Sequence, residues 1–397
     1  MRIVYYTHPA FFEPALCLVK ALSQHLQVDL LLEVSPGAWQ TAGFDVGRQP
    51  LPAGLVPADD VLRRAFPAGV RAYWQSAASF HLVVHPSRRS LHPSAWTISR
   101  RVLRFVAERR ADVFHVDDVD VSPRLALALP TLRRIPVVIA VHDPAPHSGE
   151  RNWRKDLARR FSYPTATSFV LYNGKSRAAF AARYGLAPSA VQVASLGIYD
   201  IVREWRDATP APSAPTVLLF GRLSRYKGLD VFYEAARLIS QRTPHVRFVV
   251  AGRPVTGYTP PDPPRLAAPT RIEVIDRYLS GKEAATLFEQ ASVVVCPYRD
   301  ATQSGVVLCA FAFRVPVVAS AVGGLPEYVI PERTGLLVPS GDPVALAAAV
   351  SRILLDPGLA TRLRHDIAAA ADDGLSWRHT ADTLVQLYSR VAGAQRA

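Results

Sequence analysis

Two glycine-containing segments of the chain carry residues that suit the binding of a phosphate. The segment 221–228 reads GRLSRYKG and follows an aliphatic run. In the second segment, a polar loop leads from the run Val293–Cys296 to Ser304, Gly305 and Val306, where a helical pattern begins. Backbone N–H groups at a helix N-terminus favour an anion electrostatically. Together the two segments predict a phosphate-bearing ligand; the alternative is an ordinary strand–helix crossover with turn glycines.

A further set of polar residues follows the buried-strand pattern Val137–Val141. His142, Asp143 and His147 lie in the polar, proline-rich loop that comes next. Such loops, at the carboxyl ends of strands, are where α/β domains place ligand contacts. These three residues are therefore candidate ligand contacts, as is His8 after the first predicted strand. The alternative is that the histidines are satisfied by backbone groups.

The composition is that of a folded globular protein. A length of 397 residues favours two domains. The three cysteines, Cys17, Cys296 and Cys309, form no pair motif and lie in apolar runs, which is typical of a reduced, cytoplasmic protein. We expect no membrane-spanning helix, because no window approaches about 18 uninterrupted apolar residues. We expect the N-terminal residues to form a β-strand and not a signal peptide.

The net charge of +13 is unevenly distributed. Between positions 61 and 110 there are ten arginines and one acid, Glu108, with aromatic residues among them. In a second basic cluster, Trp153, Leu157 and Phe161 are spaced four apart on one helical face. The basic residues around that face are Arg151, Arg154, Lys155, Arg159 and Arg160. This pattern predicts a helix lying on an anionic membrane surface, peripheral at the inner face; a solvated basic surface is the alternative. No nucleic-acid-binding motif accompanies the charge, so no nucleic acid is expected.

Strand and helix patterns alternate along both halves of the chain. Such alternation predicts an α/β protein with a doubly wound parallel sheet in each half. The proline-rich stretch from about 45 to 95 is predicted to leave the sheet. A Pro/Ala/Ser linker at Asp207–Pro215 marks the best boundary. We therefore predict domains at 1–207 and 208–376 and a final helical segment at 377–397.

The range from about Thr216 to Arg352 contains the segments VLLFGRLSRYKGLDVFYEAARLI, AGRP and PVVASAVGGLPEYVIPERTGLLVPSGDPVALAAAV. Over this range the sequence resembles the retaining GT-B glycosyltransferases of family 4. It implies two Rossmann-like domains facing a cleft, with a nucleotide-diphosphate sugar bound by the second and the acceptor by the first. It also implies that the final helix crosses back to the first domain. The implied reaction is a metal-independent retaining hexosyl transfer without a cofactor, in which the leaving phosphate helps to deprotonate the acceptor hydroxyl.

The resemblance also implies roles for individual residues. Arg222 and Lys227 match residues that contact the donor diphosphate, where fixed cations neutralise the leaving group. Lys227 is one of only five lysines against 41 arginines, which favours a role for the compact lysine charge. His142 matches a histidine near the transferred sugar. Asp300 is the fourth catalytic candidate, beside Arg222, Lys227 and His142. The remaining donor-side candidates are Gly221, Gly252, Gln303, Ser304, Gly305, Val306 and Cys309, and the acceptor-side candidates are His8, Asp143 and His147.

The chain departs from the family at two acidic positions. The family usually has two glutamates separated by seven residues, and those positions are Ala301 and Cys309 here. A subgroup with ATQSG at this place looks similar. We expect Asp300, Gln303 and the N–H groups beyond them to hold the donor sugar. Because a thiol cannot accept two hydroxyl hydrogen bonds as a carboxylate does, a deoxyribose donor such as a dTDP-sugar becomes an option.

The sequence alone supports more than one hypothesis about function. The acceptor is a lipid-linked or membrane-proximal glycan, or else a small metabolite. A nucleotide-sugar epimerase shares the architecture, but proton abstraction calls for acids in a cleft that is basic here. A degenerate GT-B protein serving as a binding or scaffold partner is favoured by the missing glutamates and disfavoured by Arg222 and Lys227.

Overall fold

Short aliphatic runs bounded by glycine, proline and polar residues form two large, mainly parallel sheets in the computed structural model of the chain. The described residues are 1–36, 40–41, 44–45, 51–87, 89–90, 92–118, 123–132, 134–145, 153–207 and 214–396. They group into two units. The N-terminal unit comprises the described residues within Met1–Pro144, Arg151–Gly197 and Trp377–Ala397, and the C-terminal unit comprises Ala145 and Ile198–Ser376.

The strands of the N-terminal unit are β1 (Arg2–Thr7), β2 (Gln27–Val34), β3 (Gln40–Thr41), β4 (Phe44–Asp45), β5 (Gly54–Pro57), β6 (Ser79–Val84), β7 (Val113–Asp117), β8 (Val137–Val141), β9 (Ser168–Leu171) and β10 (Val191–Val193). The main sheet has the order β10-β9-β8-β7-β1-β2-β6-β5, and only the edge strand β5 is antiparallel to its neighbour. Strand β8 is buried along its whole length, as expected where helices cover both faces of a parallel sheet.

The C-terminal unit has the strands β11 (Thr216–Phe220), β12 (Arg247–Ala251), β13 (Ile272–Ile275), β14 (Val293–Cys296), β15 (Val317–Ser320) and β16 (Gly335–Val338). They form one parallel sheet in the order β13-β12-β11-β14-β15-β16. The chain runs outward from β11 in one direction and then from β14 in the other. This is the Rossmann strand order, which opens a ligand crevice between the two strands at which the order reverses.

The helices are α1 (Phe12–Leu22), α2 (Ala58–Leu62), α3 (Ala68–Trp74), α4 (Pro93–Glu108), α5 (Trp153–Ser162), α6 (Arg177–Tyr184), α7 (Leu229–Arg242), α8 (Gly281–Gln290), α9 (Gly305–Ala312), α10 (Leu325–Tyr328), α11 (Pro343–Leu355), α12 (Pro357–Asp372) and α13 (Trp377–Arg396). Among the described residues no single helix is long and apolar enough to cross a bilayer; one sharply bent pair, α11 with the helices after it, passes that test by length and composition.

Helix α13 completes the N-terminal unit, although it is the last element of the chain. It packs on α1, and the hydroxyl of its buried Tyr388 lies 2.7 Å from His115 Nδ1 on β7. Thr380 donates a hydrogen bond of 2.6 Å to the carbonyl of Ser195. At Gly197 a Cβ would lie 2.6 Å from the indole of Trp377, so this glycine serves the docking of α13.

The prediction of two doubly wound α/β sheets is confirmed, with one local error. The stretch 45–95 does not leave the sheet, because β5 and β6 lie within it and β6 pairs with β2 over six residues. That pairing is long-range, so the local composition did not reveal it.

Candidate functional site

The two predicted phosphate-binding segments meet at the β11/β14 crevice of the C-terminal unit. Gly221, just after β11, has a positive φ of 105°. A Cβ placed there would lie 3.3 Å from Val306 Cγ2 and 3.6 Å from Lys227 Nζ. The segment 221–228 and the first turn of α9 are therefore adjacent, although about eighty residues separate them in sequence. Arg222 beside them is exposed.

Lys227 is buried, with 7% of its surface exposed, so it is not a surface lysine. It also does not begin a helix: it ends a short 3-10 turn, Gly228 follows in the left-handed region, and α7 begins at Leu229. Its Nζ donates a hydrogen bond of 2.6 Å to the hydroxyl of Tyr298. Burying an ammonium is costly without such a partner, so the position is built for this cation.

The segment between β14 and α9 supplies the other donor-side candidates. Ser304 is the N-cap residue of α9, as predicted, but its side chain does not cap the helix; its hydroxyl lies 3.4 Å from that of Tyr298. Asp300 and Gln303 are half-buried. Cys309 lies in the second turn of α9 and is partly exposed. The N–H groups of Gly305 and Val306 lie in the first helical turn, where backbone donors have no intrahelical partner.

Gly252, after β12, must be a glycine because the backbone of Gly221 lies too close to leave room for a side chain. Its φ is 147°, and a Cβ would lie 2.1 Å from the carbonyl oxygen of Gly221. Next to it is a cavity of about 420 Å³ lined by Arg253, Pro254, Asp276, Arg277 and Tyr278. These residues follow β12 and β13 directly. We did not predict them from the sequence, although their place after two strand patterns was a usable signal.

In the N-terminal unit, His142 lies in a buried polar cluster at the carboxyl ends of β1, β7 and β8. Its Nε2 is 3.4 Å from Asp117 Oδ1, and its backbone N–H donates a hydrogen bond of 3.1 Å to Asp118 Oδ2. The ring stacks on Phe11, with centroids 3.7 Å apart, and Phe11 in turn lies 4.6 Å from the ring of His8. The two predicted histidines are thus joined through one aromatic ring.

Asp117 fixes the orientation of this cluster. Tyr5 donates a hydrogen bond of 2.8 Å to its Oδ2, and His115 Nε2 lies 3.7 Å from its Oδ1. Burial by itself raises the pKa of Asp117, but its interactions with the His142 and His115 rings outweigh burial and hold that pKa well below its ordinary value. The carboxylate is therefore ionised and accepts from the His142 ring. Sequence reasoning missed Asp117 and Asp118; two adjacent acids at the end of a buried strand were the available signal.

Asp143 contributes its backbone to a contact with α5. Arg159 Nη2 donates a hydrogen bond of 2.6 Å to the Asp143 carbonyl, and Arg159 Nη1 lies 3.5 Å from that of Pro144. Arg159 is only 4% exposed. The expectation that it lies at a lipid surface is therefore wrong: it faces inward and supports the loop after His142. His147 lies outside the described residues.

Among the described residues no group of three or more histidine, cysteine, aspartate or glutamate side chains is arranged to hold a metal ion. Lys227 brings a buried cation to the β11/β14 crevice, and exposed Arg222 lies in the same segment after β11. A site of this kind can bind an anionic ligand through fixed side-chain cations and backbone donors.

Two family models match the chain, one in each unit. The model for glycosyl transferases group 1 matches residues 214–356, and the model for Glycosyltransferase Family 4 matches residues 57–200. Each unit therefore matches a glycosyltransferase family model, and the two Rossmann-like sheets are those of the GT-B fold. The first match contains the segment 221–228, Ser304 and Cys309; the second contains His142.

Proteins of known name are similar to the chain in sequence or in fold. A D-inositol 3-phosphate glycosyltransferase from Saccharomonospora viridis is 34% identical over 232 residues, which are 54% of this chain and 53% of that protein. The chain spans about half the length of the curated relatives it matches. Among solved structures, a sucrose-phosphate synthase from Thermosynechococcus elongatus has a TM-score of 0.69 at 18% identity, covering 99% of this chain and 100% of that one. Anabaena HepE in complex with UDP-glucose has a TM-score of 0.68 at 16% identity, covering 98% and 100%.

Proposed function

We propose that the protein is a retaining glycosyltransferase that moves a hexose from a nucleotide-diphosphate sugar to an acceptor hydroxyl. The observation that carries the proposal is the meeting of Gly221, buried Lys227 and the N-terminus of α9 at the β11/β14 crevice. A diphosphate needs cations and backbone donors at one place, and this crevice offers both. The relatives named as glycosyltransferases and the neighbouring structure that holds UDP-glucose support a nucleotide-sugar donor.

The proposed chemistry is the neutralisation of a leaving group. As the bond between the anomeric carbon and the diphosphate oxygen breaks, negative charge grows on that oxygen. Lys227 and Arg222 stabilise the charge, and the first N–H groups of α9 add backbone donors. The leaving phosphate takes the proton of the acceptor hydroxyl, whose oxygen bonds to the anomeric carbon on the same face, so that configuration is retained. The reaction then needs neither a carboxylate nucleophile nor a bound metal.

We assign the remaining contacts as follows. Asp300 and Gln303 hold hydroxyls of the donor sugar, and His142, oriented by Asp117, contacts the transferred sugar. His8 and Asp143 lie on the acceptor side. The cavity lined by Arg253 and Tyr278 takes the nucleobase, since it offers an aromatic ring and a guanidinium beside the diphosphate site.

A thermal-shift panel of UDP, GDP, ADP and dTDP tests the donor. A diphosphate present at 100 times its dissociation constant stabilises the protein by about 2.7 kcal/mol, which is a measurable rise in Tm. A larger rise with dTDP than with UDP would support a deoxyribose donor, the option that Cys309 raises. Turnover of the matching nucleotide sugar in the presence of EDTA, with NMR assignment of the anomeric product, tests metal independence and retention. No rise with any diphosphate, together with no turnover, would instead favour a degenerate binding or scaffold protein.

The names of the relatives favour a small phosphorylated metabolite as the acceptor, whereas the exposed surface of α5 favours an acceptor close to a membrane. On α5 the side chains of Trp153, Leu157 and Phe161 are 68%, 44% and 46% exposed. Three large apolar side chains exposed along one helix, with exposed Arg160 beside them, suit an anionic bilayer. We propose that the protein docks there, which would bring it to a membrane-proximal acceptor.

The membrane proposal predicts salt-sensitive cosedimentation with anionic vesicles. Each basic side chain near such a surface contributes about 1 kcal/mol, screened over about 10 Å at 0.1 M salt. Binding to phosphatidylglycerol vesicles should therefore weaken steeply with salt and be absent on phosphatidylcholine. Trp153→Glu should abolish it, whereas Trp96→Glu, at another exposed tryptophan on α4, should not. Binding that ignores lipid charge, or no binding, would contradict the proposal and favour a soluble acceptor.

A further inference from the structure

The buried hydrogen-bond partner of Lys227 is the phenol of Tyr298, a residue whose backbone N–H and carbonyl are both hydrogen-bonded. Tyr298 is 1% exposed and lies two residues after the end of β14. Its hydroxyl accepts the hydrogen bond from Lys227 Nζ at 2.6 Å, and the same ammonium lies 4.1 Å from the centre of its ring. Its backbone N–H donates to the Cys296 carbonyl at 2.8 Å, and its own carbonyl accepts from Ser340 Oγ at 3.0 Å. The position of the phenol is therefore set by the end of a core strand.

The segments that carry Tyr298 and Lys227 are also fastened directly to each other. The Arg299 N–H donates a hydrogen bond of 2.7 Å to the Tyr226 carbonyl. The Arg299 guanidinium reaches both oxygens of Asp230, at 2.9 and 2.6 Å. Gly228 lies so close to the Pro297 carbonyl oxygen that a Cβ would be 2.0 Å from it. Contacts on either side of the Lys227–Tyr298 pair thus fix the distance between the backbone of Lys227 and that of Tyr298.

A phenol differs from a carboxylate in what it does to the lysine charge. A buried carboxylate beside Lys227 would cancel its charge, whereas a neutral hydroxyl satisfies one N–H and leaves the charge available to an anion. Burial raises the pKa of Tyr298 well above its ordinary value, so the phenol stays protonated. It has its own proton to share, and Ser304 Oγ lies 3.4 Å away at the start of α9.

We infer that Tyr298 is a positioning residue of the donor site: it holds the Lys227 ammonium toward the diphosphate through a neutral hydrogen bond and links it to Ser304 at the N-terminus of α9. The inference rests on the proposed function for its ligand, a nucleoside diphosphate. Tyr298 is then more than a residue of the hydrophobic core. It orients the ammonium group, whereas Lys227 supplies the positive charge.

The test removes only the hydroxyl. In Tyr298→Phe the affinity for UDP, measured by calorimetry, should fall about tenfold or more, the size expected for a hydrogen bond to a charged group. The affinity for uridine, which lacks phosphate, should not change. Tyr233→Phe removes another buried phenol of the same unit and should leave UDP binding unchanged. In a Lys227→Ala background, Tyr298→Phe should add less than twofold, because the two residues act through one contact.

A second measurement does not depend on any ligand. Reductive methylation followed by mass spectrometry reports each of the five lysines separately. In Tyr298→Phe the labelling of Lys227 should accelerate several-fold while that of Lys20, Lys155, Lys175 and Lys282 does not. Unchanged Lys227 labelling, or losses of UDP affinity that add fully in the double variant, would overturn the inference. If wild-type protein binds no diphosphate at all, the proposed function fails, and faster labelling of Lys227 would still support Tyr298 as the residue that holds it.

Discussion

Replacing Lys227 with alanine is expected to lower kcat/KM for the nucleotide sugar by at least about a hundredfold, on the order of 3 kcal/mol of transition-state stabilisation. The ammonium is buried at the crevice and is fixed by Tyr298, so its charge acts where water cannot replace it. Arg222→Ala should act in the same direction. The measurement is steady-state release of nucleoside diphosphate with the donor that the thermal-shift panel identifies.

A matched control separates this effect from the loss of any lysine. Lys282 lies in the same unit, is exposed and pairs with Asp207. Lys282→Ala should change kcat/KM by less than twofold, since a surface ion pair contributes little. Circular dichroism and thermal melts must show that the Lys227 variant is folded. A folded Lys227→Ala protein with near-normal turnover would reject the assignment of the donor site.

Gly228→Ala is expected to lower the free energy of unfolding by at least about 3 kcal/mol. Two effects combine. The φ of 69° is unfavourable for any residue with a Cβ, and the added methyl would lie 2.0 Å from the Pro297 carbonyl oxygen. Relief of the clash requires the segment of Lys227 to move away from that of Tyr298, so donor binding should be lost together with stability.

Gly341 provides the comparison for this prediction. Its φ is 77°, nearly that of Gly228, but nothing lies within 4 Å of a Cβ built there. Gly341→Ala should therefore cost only the backbone term, roughly 1–2 kcal/mol. The difference between the two variants in chemical denaturation isolates the clash. Equal losses in both would show that the contact with Pro297 does not matter.

Five of the six strands in the sheet of the C-terminal unit coincide with strand patterns in the sequence, whereas the edge strand β16 was not predicted. Most of the predicted strands are continuous aliphatic runs bounded by turn residues, a pattern typical of strands buried on both faces. Strand β6 was missed because its sequence SFHLVV mixes polar and apolar residues within a proline-rich stretch. What makes it a strand is its pairing with β2, about fifty residues earlier, which no local pattern encodes.

The candidate site was predicted in part for similar reasons. Lys227, Gly221 and Ser304 were visible because glycine, lysine and serine in loops stand out against aliphatic strands. Tyr298 was not predicted, because a tyrosine after a strand is typical of a hydrophobic core. Asp117 was not predicted, because its role depends on a contact with His142, twenty-five residues later in the sequence. Arg159 was misjudged because helical spacing identifies faces but does not tell which face the fold covers.

The docking of α13 also sets the order in which a newly made chain can become native. Tyr388 reaches His115, and Trp377 covers Gly197, only after residues 198–376 have been synthesised. At roughly 5–20 residues per second on the ribosome, that interval lasts on the order of ten to forty seconds. The C-terminal unit is continuous over this stretch and can fold during it. The N-terminal unit is therefore completed after the C-terminal unit has been made, and until α13 is synthesised it presents α1 without the helix that packs on it, which is a surface for chaperones to shield.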